Sequence, residues 1–147
     1  MKISQGKMGR VFFIRLEHGE IVTECIERVA SDNGVSHGYA LMVGGVGGGQ
    51  VVVGPRKSDE RPVEPMLLPI GGAHEVAAVG ILAQDKSGKP IMHLHGALGR
   101  SGQTVTGCLR VGAETWLVGE VVLFEVLGVK AVRKMDKKSG FELLEVD

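Results

Sequence analysis

The chain has no excess of charge of either sign, because its 17 Lys and Arg residues are matched by 17 Asp and Glu. A dedicated nucleic-acid binder draws most of its affinity from phosphate contacts and shows a strong basic surplus. That footprint is missing. Long hydrophobic runs are missing too. No stretch approaches the roughly 18 apolar residues of a membrane span, and Met1 to Gly9 does not follow the basic-then-apolar plan of a secretory signal. A cytoplasmic location is therefore expected. Cysteine is scarce, with only Cys25 and Cys108. Thiols stay reduced in that compartment, so a structural disulfide is not expected. There is no internal repeat and no low-complexity linker.

What the chain does have is glycine, at 23 of 147 residues. Without a collagen-like period, that abundance points to tight turns and strand bends and favours a β-rich fold. The length is that of one ordinary domain, 1–147, able to bury a core without disulfides. Hydrophobic residues at 44% and charged residues at 23% are ordinary for a globular protein.

Arg10 to Glu17 is rich in aromatic and branched residues and reads as a strand. Ile21, Val22, Cys25, Ile26 and Val29 then fall at helical spacing, with Asn33-Gly34 as the stop. On that stripe Cys25 is a small core residue. Gly38 to Val43 reads as a buried strand, followed by the glycine-rich stretch to Gly49 and a second strand at Gln50 to Val53. The glycines do not fit a nucleotide-binding motif. The third glycine of G-x-G-x-x-G falls on Gln50 or Val52, and a P-loop opening at Gly44 needs Lys where Gln50 stands. A bend with closely approaching backbones is the simpler reading. Gly54 to Pro69 holds four of the five prolines and reads as a surface excursion. Strands are expected again at Glu75 to Gln84, Pro90 to Leu98, Gln103 to Arg110, Gly119 to Leu127, Val129 to Arg133 and Phe141 to Val146. One main helix with seven or more strands makes the class α+β, with a mainly antiparallel sheet.

The chemistry concentrates at His93-Leu94-His95. Residues two apart in a strand share a face, so both imidazoles point one way and Leu94 the other. His-x-His alone is weak evidence, and two half-exposed histidines without a ligand are the simpler reading of it. The following hairpin strengthens it. If Ser101-Gly102 form a two-residue turn, position 95 pairs with position 108 and Cys108 lies opposite His95. A bulge at Gly99 would slip that register. Two imidazoles and a thiolate suit zinc, and a three-ligand site leaves a fourth position open. His74-Glu75 is a weaker candidate for a fourth ligand or a general acid/base, against a surface histidine as the default. His18 and His37 are expected to be solvated. Arg100, at the hairpin tip, is an anion-holding candidate or an ordinary turn residue.

His93-Leu94-His95-Gly96, a short glycine-containing turn and Thr106-Gly107-Cys108-Leu109 together resemble the PPC domain, the plant and prokaryote conserved domain also found in AT-hook nuclear-localised proteins. The resemblance spans nearly the whole chain. It takes in Arg15 to Glu20 before the helix, Val43 to Gly49, Arg133 to Asp136, and Gly140 to Leu144. It implies an α+β subunit that assembles as a trimer, and a three-histidine metal unit of which two members fall on His93 and His95. The third falls on Cys108, where the family usually shows His. Cys is itself a good zinc ligand.

Three functional readings follow. The first is a metal-binding homo-oligomeric module, with zinc the expected metal and a binding or regulatory task. The second is DNA binding, as predicted for prokaryotic relatives. No AT-hook core or helix-turn-helix pair is present, which leaves only a local basic patch such as Lys130 to Lys138, more simply read as a solvated strand end. The third is a zinc-dependent enzyme acting on a small molecule, for which no catalytic carboxylate can be assigned.

Overall fold

Period-two alternation and one amphipathic helix organise the molecule, and the computed structural model describes residues 1–146. In chain order these residues form β1 (Lys7–Glu17), α1 (Val22–Asp32), β2 (His37–Pro55), β3 (Pro65–Pro69), β4 (His74–Gln84), β5 (Pro90–Arg100), β6 (Gln103–Leu127), β7 (Ala131–Asp136) and β8 (Phe141–Val146). The described fold is mainly antiparallel β with one helix.

Two strands are longer than their sequence suggests. The glycine-rich stretch does not separate two strands but lies within β2, and Gln103 to Arg110 and Gly119 to Leu127 are two ends of a single β6. Both long strands bend, and they pair with each other twice. The first half of β2 lies between β4 and the end of β6, while its second half meets β6 again at Gly45↔Trp116, Val46↔Thr115 and Val52↔Cys108. With β4–β5 and β5–β6 paired as well, β2, β4, β5 and β6 close into a circuit. Glycine permits the closure. Gly49 has φ +87, and a Cβ there would lie 2.1 Å from the Gly112 carbonyl oxygen. At Gly107 a Cβ would lie 2.3 Å from the Val52 carbonyl oxygen, so the backbones beside Cys108 touch only because no side chain intervenes.

Inward-facing residues of this circuit, among them Met42, Val46, Leu82, Leu94, Leu98, Leu109 and Leu123, form one core with Val22, Ile26 and Ala30 of α1. Each buried aliphatic side chain contributes roughly 1.5–3 kcal/mol through its removal from water. Cys25 belongs to this core, as the helical spacing predicts. The opposite sheet face has no such cover. Phe13, Leu41, Val43, Val79 and Ile81 all point outward and are exposed, Phe13 at 85%.

Two tethers lie outside the core. Near the end of β6, Glu125 is only 5% exposed. Arg10 grips it with Nη2 to Oε1 at 2.7 Å and Nε to Oε2 at 2.8 Å, and the Arg10 backbone N–H donates to Oε2 at 3.0 Å. These bonds hold the carboxyl pKa at about 2. The second tether is the β7–β8 hairpin, a separate two-stranded sheet. It meets the main body through an Asp85↔Arg133 bridge and a 2.7 Å contact from His37 Nε2 to the Ala131 carbonyl. His37 is thus half-buried and engaged, not freely solvated as expected. The Gly54 to Pro69 excursion also reaches this hairpin, where Val63 N donates to the Ser139 carbonyl at 2.9 Å.

Candidate metal centre

β5 places His93 and His95 on its outward side while Met92 and Leu94 fill the core, as strand alternation requires. The β5–β6 turn has positive φ at both Ser101 (51°) and Gly102 (77°), the conformation a two-residue hairpin prefers. Without a slip at Gly99, this turn pairs Arg100 with Gln103 and carries the register back to His95↔Cys108. The ligand atoms of His93, His95 and Cys108 all lie within 4.8 Å of one another. The two imidazole Nε2 atoms are 3.0 Å apart, with the rings inclined at 76°.

These distances fit a small, borderline-soft cation. Tetrahedral zinc with bonds of about 2.0–2.1 Å to nitrogen separates two nitrogens by about 3.3 Å, close to the 3.0 Å seen. A thiolate with a bond of about 2.3 Å requires a somewhat larger separation, within reach of small rotations from the present spacing. Two imidazoles and one sulfur form a donor set that favours zinc over the oxygen-seeking magnesium and calcium.

The surroundings favour a neutral imidazole at His93 and the protonated thiol over the thiolate at Cys108. Burial, then the positive charges of Arg110, His95 and Arg133, pushes the His93 pKa down to about 4, so its imidazole keeps a free lone pair at neutral pH. Cys108 is 7% exposed. Burial raises its pKa, and Arg110 opposes this by charge and by a hydrogen bond to the sulfur. Thiolate formation there depends on neighbouring positive charge.

The triad lies in the wall of a cavity of about 730 Å³. Val52, Pro65 and Leu67 form one side and Phe141, Leu143 and Leu144 of the hairpin another, with Arg110, Arg133 and Glu142 as the charged lining. Arg133 is 4% exposed. Its Nη2 donates to the Ile81 carbonyl at 2.9 Å and its Nε to the Ile91 carbonyl at 3.3 Å. Of the segment Lys130 to Lys138, expected as a solvated strand end, Lys130, Lys137 and Lys138 are exposed, whereas Arg133 points inward and Lys134 is ion-paired with Glu145. No pattern in the sequence marks Arg133 as buried, because its partners are carbonyls contributed by two distant strands.

The other candidates lie elsewhere. Among the described residues no fourth His, Cys, Asp or Glu joins the triad. His74 begins β4 opposite Val46, and its Nδ1 donates to the Gly72 carbonyl at 2.8 Å. Arg100 donates to the Ala73 carbonyl at 2.6 Å, an ordinary turn tether. His18 Nδ1 accepts the Leu117 backbone N–H at 3.2 Å.

Residues 3–127 match the Plants and Prokaryotes Conserved (PCC) domain. The fold is that of a metal-containing protein from Archaeoglobus fulgidus, with TM-score 0.85, 22% identity and 99% of each chain covered. It is also that of a plant- and prokaryote-conserved protein from Pyrococcus horikoshii, with TM-score 0.80, 23% identity, and 99% of this chain and 100% of that one covered. A candidate DNA-binding protein from Bacteroides thetaiotaomicron follows at TM-score 0.76 and 16% identity, covering 97% of each chain. No curated protein is matched by the sequence.

Proposed function

The chain belongs to the Plants and Prokaryotes Conserved domain family, and from that premise we propose that it is a zinc-binding module whose metal is held by His93, His95 and Cys108. The observation that carries this reading is the convergence of three good zinc donors within 4.8 Å. The relative described as metal-containing supports it. A bound zinc supplies Lewis acidity and an open coordination position. The chain's own part is to present two imidazoles and a sulfur from paired strands, with Arg110 favouring the anionic sulfur. No described carboxylate stands among the triad to move a proton, so ligand binding is better supported than catalysis.

Elemental analysis of purified protein is expected to find about one zinc per chain. His93→Ala, His95→Ala and Cys108→Ala each lose most of it, while Cys25→Ala keeps it. Full zinc in Cys108→Ala with loss in both histidine variants would show that another group completes the site.

The uncovered sheet face supports self-association. Contiguous exposed apolar area on a folded chain marks an interaction surface, and Phe13, Leu41, Val43, Val79 and Ile81 share one. A homotrimer is the assembly proposed. Light scattering at micromolar concentration checks it, and a monomer removes the proposal. The DNA reading draws little support from the basic segment, since Arg133 is buried and Lys134 is paired.

A further inference from the structure

Glu125 has a guanidinium partner, but the two guanidiniums in the cavity have no carboxylate partner. No ion pair among the described residues involves Arg110 or Arg133. Arg110 stacks on the Phe141 ring, its guanidinium carbon 5.8 Å from the ring centre, and its charge acts on the Cys108 sulfur. Arg133 bonds two carbonyls, which occupy two of its five N–H donors. Arg133 is 4% exposed, and a charged side chain is seldom buried without a counter-charge, because desolvation costs several kcal/mol; Arg110, at the cavity's solvent side, is exposed. Glu142 also lines the cavity, and Glu27 lines an adjoining one that Arg110 and Arg133 share, but both act on Arg133 only through space, after the opposing effects of burial and of Arg110.

Counting lining charges, Arg110, Arg133 and Glu142 leave the cavity at net +1 with the thiol neutral. A divalent metal with a Cys108 thiolate raises that surplus. The remaining walls are apolar, built from Leu67, Phe141, Leu143 and Leu144, and the volume of about 730 Å³ lies within the roughly 300–1,000 Å³ of small-molecule sites. A ligand that suits both features has a flat anionic head and an apolar body. Guanidinium forks match carboxylates in geometry.

We propose that the cavity beside the metal triad binds a small organic carboxylate, with its head on Arg110 and Arg133 and its apolar body against the β7–β8 hairpin. The inference rests on reading this face as a binding module. Its anchors are not metal ligands, so the two proposals fail separately.

The probe is 3-phenylpropionate, titrated calorimetrically into zinc-loaded and chelator-stripped protein. The comparison ligands are 3-phenylpropanol, which lacks the charge, acetate, which lacks the body, and inorganic phosphate. Phenylpropionate is expected to bind at least tenfold tighter than any of the three, and to bind the stripped protein as well, more weakly. Arg110→Gln weakens it about tenfold or more, the effect of losing one charged hydrogen-bond partner, in the chelator-stripped protein as in the zinc-loaded one. Glu142→Gln strengthens it by removing the competing carboxylate. Arg133→Gln acts like Arg110→Gln if it folds, and Arg110→Gln decides the matter if it does not. Phosphate binding without phenylpropionate binding, equal affinity for the alcohol, or unchanged affinity in Arg110→Gln overturns the proposal. Phenylpropionate binding by protein that takes up no zinc leaves it standing and removes the metal reading alone.

Discussion

The two ends of strand β6 solve the same electrostatic problem in opposite ways. At one end the buried Glu125 carboxylate receives three hydrogen bonds from Arg10, and the charge is neutralised within the chain. At the other, Arg110 and the neighbouring Arg133 line a cavity beside three metal-type donors, and among the described residues no carboxylate forms an ion pair with either. The first arrangement is complete as it stands and serves stability. The second has more positive charge than the chain itself balances, which is how a binding site differs from a structural ion pair. Both ends bury a leucine with no exposure, Leu109 and Leu123, but Glu125 shares the inward face of Leu123, whereas Cys108 and Arg110 flank Leu109 on the opposite face.

Packing is the place to expect the largest effect, and the least difference between the ends. Leu109→Ala and Leu123→Ala should each cost about 2–5 kcal/mol in denaturant unfolding. A loss at only one of them would mean that the ends differ in their core as well.

The next effect separates the ends by pH. Glu125 titrates at about 2 in the folded chain and near 4.3 when unfolded. Its contribution is therefore fully present above about pH 4.3 and is lost as pH falls towards 2. Glu125→Gln should flatten stability across that window, and Arg10→Met should lower stability at neutral pH by leaving the carboxylate unpaired. Unfolding curves at pH 2.5, 4 and 7 test both; an unchanged acid limb in Glu125→Gln would remove the ion pair from the account.

Smallest is the effect of Arg110→Gln on folding. Arg110 has no carboxylate partner to strand, so stability should stay within about 0.5 kcal/mol of wild type, measured without zinc or added organic acid. A loss comparable to that of Arg10→Met would make Arg110 a structural residue and erase the contrast.

How much of this was legible in the sequence depended on the range of the signal. α1 and the strand at Phe141–Val146 announce themselves by local period. The triad was legible because its two parts are local: alternation aligns His93 with His95, and a two-residue turn at Ser101-Gly102 fixes the register to Cys108. The continuity of β2 was not. Glycine reads locally as an interruption, whereas here Gly49 and Gly107 let two bent strands touch at points more than 50 residues apart. Arg133 was hidden for the same reason. Its charge argues for the surface, and the carbonyls of Ile81 and Ile91 that hold it inside are 52 and 42 residues away.

The β7–β8 hairpin has a consequence for how the molecule breathes. Two strands alone are marginal in water, and this pair joins the main body through few bonds, those of Arg133, His37 and Val63 among them. Its amide hydrogens should therefore exchange with solvent through openings that leave the circuit of β2, β4, β5 and β6 intact, at a free energy well below that of global unfolding. Because Phe141, Leu143 and Leu144 wall the cavity, any occupant held there would slow exchange in Phe141–Val146 first. The hairpin thus serves as a built-in reporter of occupancy, readable by deuterium uptake.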